Sequence, residues 1–118
     1  MLKMWNVVYT DEFGEWWRTL EDAVQDKCLS VVGLLERKGP ALGFPYSSDI
    51  RGASPAMREL RIQYAGHPYR ILYAFDPERS AVLIIGGDKT GDDSWYDRYV
   101  PRAEAIFKEY LEELKEVN

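Results

Sequence analysis

The sequence predicts an α+β fold in the order β-α-α-β-β-β-α, with a helical hairpin and a C-terminal helix packed on a mainly antiparallel four-stranded sheet. Two consecutive amphipathic helical patterns precede residue 40, three strand-length runs follow one another between residues 59 and 85, and a helical stripe closes the chain. With 118 residues and no internal repeat or low-complexity linker, residues 1–118 are read as a single domain.

Each element has its own signal. Trp5 to Tyr9 is β-branched and aromatic, and it ends at Thr10-Asp11, a helix N-cap. Phe13, Trp16, Trp17 and Leu20 then recur at three- and four-residue spacing, with Glu12 and Glu15 near the positive end of the helix dipole. Val24, Cys28, Val31 and Leu35 form the stripe of a second helix, which Gly39-Pro40 stops. Residues 39–57 are rich in Gly, Pro and Ser and read as a long irregular loop, a kind of segment that often carries function. Leu60, Ile62 and Tyr64 alternate with Glu59, Arg61 and Gln63 in the next strand. A four-residue turn, Ala65 to Pro68, leads to the strand Tyr69 to Phe75, and Asp76 to Ser80 turns into Ala81 to Ile85. Ser94 to Asp97 fits the capping box of a short helix. Pro101 suits the first turn of a last helix, whose face is Ala103, Phe107, Tyr110 and Leu114.

Composition closes off several classes. Apolar residues make up 46% and aromatics 14%, ample for a buried core and against disorder. One Cys and one His cannot build a disulfide or a Cys/His zinc site; Cys28 belongs to the core stripe, and His67 reads as a solvated turn residue. The longest apolar runs, such as Ala81 to Ile85, are too short to span a bilayer, and Met1-Leu2-Lys3-Met4-Trp5 leads into a strand rather than a signal peptide. A reducing, cytoplasmic setting with no membrane contact is expected. The formal net charge of −5 argues against a nucleic-acid binder as a whole.

The charge is uneven, however. Residues 51–75 hold four arginines (Arg51, Arg58, Arg61, Arg70) and one acid, Glu59, and they form the only net-positive stretch. A four-residue turn would place Gln63 across from Arg70, so that Glu59, Arg61, Gln63 and Arg70 share one face, with Arg61 and Arg70 as diagonal neighbours. Ile62, Tyr64, Tyr69, Ile71 and Tyr73 take the other face, where the helices pack. Two close guanidinium groups require an anion between them: a phosphate, or the carboxylate of Glu59 or another segment. The same register sets Gly86 across from Arg70 and brings Asp88 and Lys89 to that end of the sheet. Lys89 is a candidate phosphate ligand or general acid and Asp88 a candidate proton acceptor, although Gly86 to Asp92 also reads as a plain turn and lacks the Walker A spacing. Trp95, Tyr96 and Tyr99 are candidates for base stacking or for supplying a phenol, with Trp95 equally suited to locking its helix onto the sheet.

Met57-Arg-Glu-Leu-Arg-Ile62, Tyr69-Arg-Ile-Leu-Tyr-Ala-Phe75 and Leu83-Ile-Ile-Gly-Gly-Asp-Lys-Thr-Gly91, with Trp95-Tyr96 and Pro101 behind them, resemble the HigB-like, phage-derived branch of the RelE/ParE toxin superfamily. The resemblance covers nearly the whole chain. It implies the RelE-like fold and a type II toxin acting as a ribosome-dependent mRNA endonuclease with no metal or other cofactor, in which the ribose 2′-OH attacks the adjacent phosphate. Carried over, Arg70, Lys89, Arg61, Tyr96 and Asp88 are the catalytic candidates, and Arg58, Arg61, Trp95 and Tyr99 the RNA-binding ones. The implied partners are a HigA-like helix-turn-helix antitoxin, the ribosome and mRNA, with operator DNA reached only through the antitoxin. The alternatives are a non-enzymatic ParE-like toxin that binds DNA gyrase and a degenerate member that only binds its antitoxin.

Overall fold

The computed structural model describes residues 4–54 and 56–117; Met1 to Lys3 of the N-terminal reading, Pro55 of the Gly/Pro-rich stretch and Asn118 lie outside them. The described elements are β1 (Asn6–Tyr9), α1 (Asp11–Trp17), α2 (Asp22–Lys38), a 3-10 turn (Gly39–Ala41), β2 (Ser47–Asp49), β3 (Arg58–Tyr64), β4 (His67–Phe75), β5 (Ser80–Asp88) and α3 (Trp95–Val117). The strands form one sheet in the order β1-β5-β4-β3-β2, with β1 parallel to β5 and every other pair antiparallel. The α+β class and the element order hold. Among the described residues the sheet has five strands rather than four, because Ser47–Asp49 of the expected loop pairs with Arg58–Leu60. Three residues of Ser and Asp carry no periodic signal, and only the neighbouring backbone makes them a strand.

Local capping follows the sequence. Thr10 Oγ1 accepts the Phe13 N–H at 3.1 Å and donates to the Ile84 carbonyl at 2.6 Å, so one side chain starts α1 and ties it to β5. Gly39 ends α2 at a φ of +54°, and a Cβ there would lie 2.2 Å from Trp5 Nε1.

Two expectations are corrected. The β3–β4 turn has two residues, Ala65 and Gly66, with φ values of +50° and +80°, so Tyr64 pairs with His67 and Arg61 lies directly across from Arg70. Positive φ at both positions matches strand twist, but Ala in place of Asn or Asp hides the turn in the sequence. The short and final helices are one continuous 23-residue α3 with Pro101 inside it. Proline in a helix interior costs about 3 kcal/mol; the packing of Trp95, Val100 and Ala103 on the sheet offsets it.

The helices divide between the faces. α1 and α2 cover one face over Leu60, Ile62, Ile71, Tyr73, Ala81 and Leu83. α3 covers the other over Leu72, Ala74, Val82 and Ile84, so the arginine face is not left bare. No described helix is long and apolar enough to cross a membrane.

Candidate active site

The two-residue turn sets the site's register. Arg61 and Arg70 are cross-strand partners, with Cβ atoms about 5 Å apart for directly opposed residues. Arg70 pairs on its other side with Gly87, one residue beyond the expected Gly86. Alternation places Glu59, Arg61, Arg70 and Gly87 on the α3 face, with Lys89 just past the end of β5.

Glu59 is the anion between the arginines. It is 4% exposed; three donors hydrogen-bond to it and a fourth group, Arg70, ion-pairs with it. Oε2 accepts from Ser48 Oγ at 2.7 Å and Arg61 Nη1 at 3.2 Å; Oε1 accepts from Tyr96 Oη at 2.6 Å. Arg70 Nε stands 3.4 Å from the same Oε1, at ion-pair range but outside hydrogen-bond geometry, so this buried N–H has no acceptor. The Glu59 carboxylate thus stands between the two guanidinium groups.

Trp95 and Tyr96 lead α3 into this cluster. Gly87 has no side chain, and the Trp95 indole fills the space above it, where a Cβ would lie 2.7 Å from Nε1. At 1% exposure Trp95 is buried and offers no face for a base; it locks α3 to the sheet. Its own N–H is the second buried donor without an acceptor. Tyr99 stacks on Trp95 with centroids 4.3 Å apart, and Arg98 and Arg102 approach its ring, so it is a packing ring first. The Lys89 ammonium lies 5.7 Å from the Tyr96 ring centroid. Burial and the Glu59 hydrogen bond push the Tyr96 phenol above the ordinary tyrosine pKa, against the opposing effect of Arg70. It is therefore a proton donor at neutral pH.

Two candidates fall elsewhere. Arg58 alternates to the opposite face, where Nε donates to Ser47 Oγ at 3.2 Å and Tyr73 Oη at 3.4 Å and the guanidinium pairs with Asp49. It clamps β2 to β3 and does not join Arg61 and Arg70. Asp88 pairs with Tyr69 and also turns away from the cluster. It contacts His67 Nδ1 at 2.9 Å and accepts the Thr90 N–H at 2.9 Å. Burial works to raise its pKa, but the Thr90 and His67 hydrogen bonds outweigh it and hold the carboxyl below its usual value. His67 is thus partnered rather than simply solvated. Both corrections come from strand alternation, which separates sequence neighbours such as Arg58 and Glu59, or Asp88 and Lys89. Among the described residues no three His, Cys, Asp or Glu side chains are grouped to hold a metal ion.

The profile of the "Phage derived protein Gp49-like (DUF891)" family matches residues 15–108, which include every residue of this cluster. The chain belongs to this family. The chain is 36% identical over 107 residues to "Putative toxin HigB3" of Mycobacterium tuberculosis, covering 89% of this chain and 92% of that protein. It is 33% identical over 109 residues to "Putative toxin HigB2" of the same organism, covering 90% of this chain. The chain spans 54% of the length of that second relative. In structure it resembles a variant of the E. coli toxin RelE in the free state, with a TM-score of 0.63 at 17% identity over 84% of this chain and 97% of that one. It also resembles the toxin–antitoxin complex RelBE2 of M. tuberculosis, at a TM-score of 0.55 and 17% identity over 75% and 94%. The archaeal RelE–RelB complex of Pyrococcus horikoshii matches at 0.55 and 14% over 77% and 99%. This Gp49-like chain is HigB-like in sequence and has the RelE fold.

Charge and resemblance point to Arg61, Arg70, Lys89 and Tyr96; the structure sets Arg61, Arg70 and Tyr96 on Glu59 and Lys89 beside the Tyr96 ring. From sequence, Glu59 is only a neutralising partner of the arginines. Its alternation with Arg61 was the available signal; its contact with Tyr96, 37 residues away, was not readable.

Proposed function

We propose that the protein is the toxin of a type II toxin–antitoxin module and acts as a ribosome-dependent, metal-free mRNA endonuclease in the cytoplasm, restrained by a HigA-like helix-turn-helix antitoxin that links it to operator DNA. The observation that carries this reading is the convergence of Arg61, Arg70 and Tyr96 on Glu59, with the Lys89 ammonium beside the Tyr96 ring. A surface evolved only to bind gyrase or an antitoxin has no need to gather two guanidinium groups, an ammonium and a protonated phenol at one point.

In this mechanism the ribose 2′-oxygen attacks the adjacent phosphorus, the P–O5′ bond breaks, and the products are a cyclic phosphate and a 5′-hydroxyl. Arg61 and Arg70 take the equatorial oxygens of the phosphorane and Lys89 adds a third positive charge, the kind of fixed electrostatics that is worth most in a partly dehydrated site. A phosphate seated there competes with Glu59 for both guanidinium groups. Glu59, relieved of those partners, is the group positioned to accept the 2′-hydroxyl proton, and Tyr96 holds the proton that the leaving 5′-oxygen needs.

Primer-extension mapping of cellular mRNA after expression tests the reading. Cuts within codons should disappear in Arg70→Ala and Lys89→Ala, with cleavage reduced roughly 100- to 1,000-fold, the cost of deleting one transition-state donor. Intact message together with gyrase trapped on DNA would place the protein in the gyrase-poisoning class instead.

A further inference from the structure

A groove of about 540 Å³ runs between α2 and the segment that leads into β2. Lys27 and Arg37 on α2 and Arg61 on β3 line it together with Leu34, Pro45 and Tyr46, and no acidic residue does. That is unusual in a chain with a net charge of −5. Lys27 and Arg37 are exposed and make no ion pair among the described residues. They sit ten residues apart on one stripe of the helix, about 15 Å along its axis, room for more than one nucleotide. Tyr46, 45% exposed, lines the groove, and Phe44, 76% exposed, stands on the same segment at the groove's Arg61 end. The Arg61 guanidinium lies 5.3 Å from the Phe44 ring centroid while donating to Glu59, so a single side chain joins the groove to the candidate active site.

Free cations along a groove with aromatic faces beside them form the recognition surface for single-stranded nucleic acid, where phosphates meet the cations and bases stack on the rings. We propose that this groove holds single-stranded RNA flanking the cleavage point, with Lys27, Arg37 and Arg61 on its phosphates and bases stacked on Phe44 and Tyr46. The inference rests on the nuclease reading, which puts the scissile phosphate at Arg61. An acidic protein segment would satisfy the cations but leave the two exposed rings without a use, so RNA is the better fit.

The test uses the full chain and a single-stranded RNA oligonucleotide, 2′-O-methylated throughout so that it cannot be cut, titrated at low ionic strength and followed by amide chemical shifts and fluorescence anisotropy. Shift changes should cluster at residues 27–37 and 44–46. Phe44→Ala and Tyr46→Ala should each weaken binding roughly 5- to 150-fold, the range for losing one stacked base. Lys27→Glu/Arg37→Glu should weaken it and reduce the salt slope by about 1.4, for two single-strand phosphate contacts. All four positions are exposed, so an unchanged amide spectrum elsewhere certifies the fold of the variants. Absence of binding, or binding indifferent to these variants, overturns the groove whether or not Arg70→Ala abolishes message cleavage. Loss of antitoxin affinity in Lys27→Glu/Arg37→Glu with RNA binding unchanged also overturns it, because the groove then belongs to the protein partner. Groove-dependent RNA binding by a chain that leaves cellular mRNA intact supports the groove and sinks the nuclease reading alone.

Discussion

The two faces of the sheet use the same packing device to different ends. Trp16 of α1 lies over Gly86 and Trp95 of α3 over Gly87, where added Cβ atoms would meet the indoles at 2.4 Å and 2.7 Å. On the α1/α2 face the tryptophan closes an aliphatic core, and the charged residues lie at its margins in pairs: Arg58 with Asp49, and His67 with Asp88. On the α3 face it anchors a helix whose next residue, Tyr96, enters a cluster of charge held close to the core. The difference shows how adjacent residues of one strand can face an aliphatic core on one side and a buried charge cluster on the other. It also shows why a charged pair at the rim and one in the interior carry different energies.

The largest effect expected is at Glu59. Breaking a buried ion pair from one side typically costs about 3–5 kcal/mol, whereas an exposed pair is worth about 0–1 kcal/mol. Glu59→Gln should therefore lower the urea-unfolding free energy by about 3–5 kcal/mol. Asp49→Asn, at a carboxylate whose side chain is 87% exposed, should cost no more than about 1 kcal/mol. Equal losses would erase the distinction between the faces.

The glycines come next. Gly86→Ala and Gly87→Ala each force an indole off its seat, an overpacking cost of about 1–3 kcal/mol by denaturant melts. Only Gly87→Ala should also reduce message cleavage per folded molecule, since it displaces the helix start that carries Tyr96. A Gly86→Ala protein with the same cleavage defect would show that the faces are not separable.

Tyr96→Phe should cost about 1.5–3 kcal/mol through the lost hydrogen bond to the charged Glu59. Its phenol is raised in the folded state, so its contribution is full below the unfolded tyrosine pKa of about 10 and is lost as pH rises through the higher folded value. Tyrosinate absorbance in the wild type should include a late-titrating phenol that the variant lacks. The smallest effect belongs to the apolar face: burial pushes the Cys28 thiol up to about 11, and thiol labelling near neutral pH should proceed only at the rate of global opening. Labelling that outpaces unfolding would mean that this face opens locally.

Much of this was legible in the chain. Helix stripes, the Thr10 cap, the three long strands and the split of β3 into an arginine face and an apolar face all rest on periodicity, which is local. Arg61, Arg70, Lys89 and Tyr96 are legible as site candidates from charge and resemblance. The direct opposition of Arg61 and Arg70 was not, because it depends on a type of turn whose sequence signal is weak at Ala65. Nor was β2, because a three-residue edge strand is made by its neighbour. Trp95 allowed two readings until the space above Gly87 settled it.

The sequence by itself determined the class and order of the long elements, their apolar stripes, and the confinement of net positive charge to residues 51–75, since each is a matter of local spacing and composition. Only the tertiary structure decided that α3 packs against the arginine face, that Glu59 stands between Arg61 and Arg70 and binds Tyr96, and that Arg58 and Asp88 lie on the far side. Those outcomes depend on register and on contacts between distant segments. A shift of one residue in a turn changes them, and no local pattern records it.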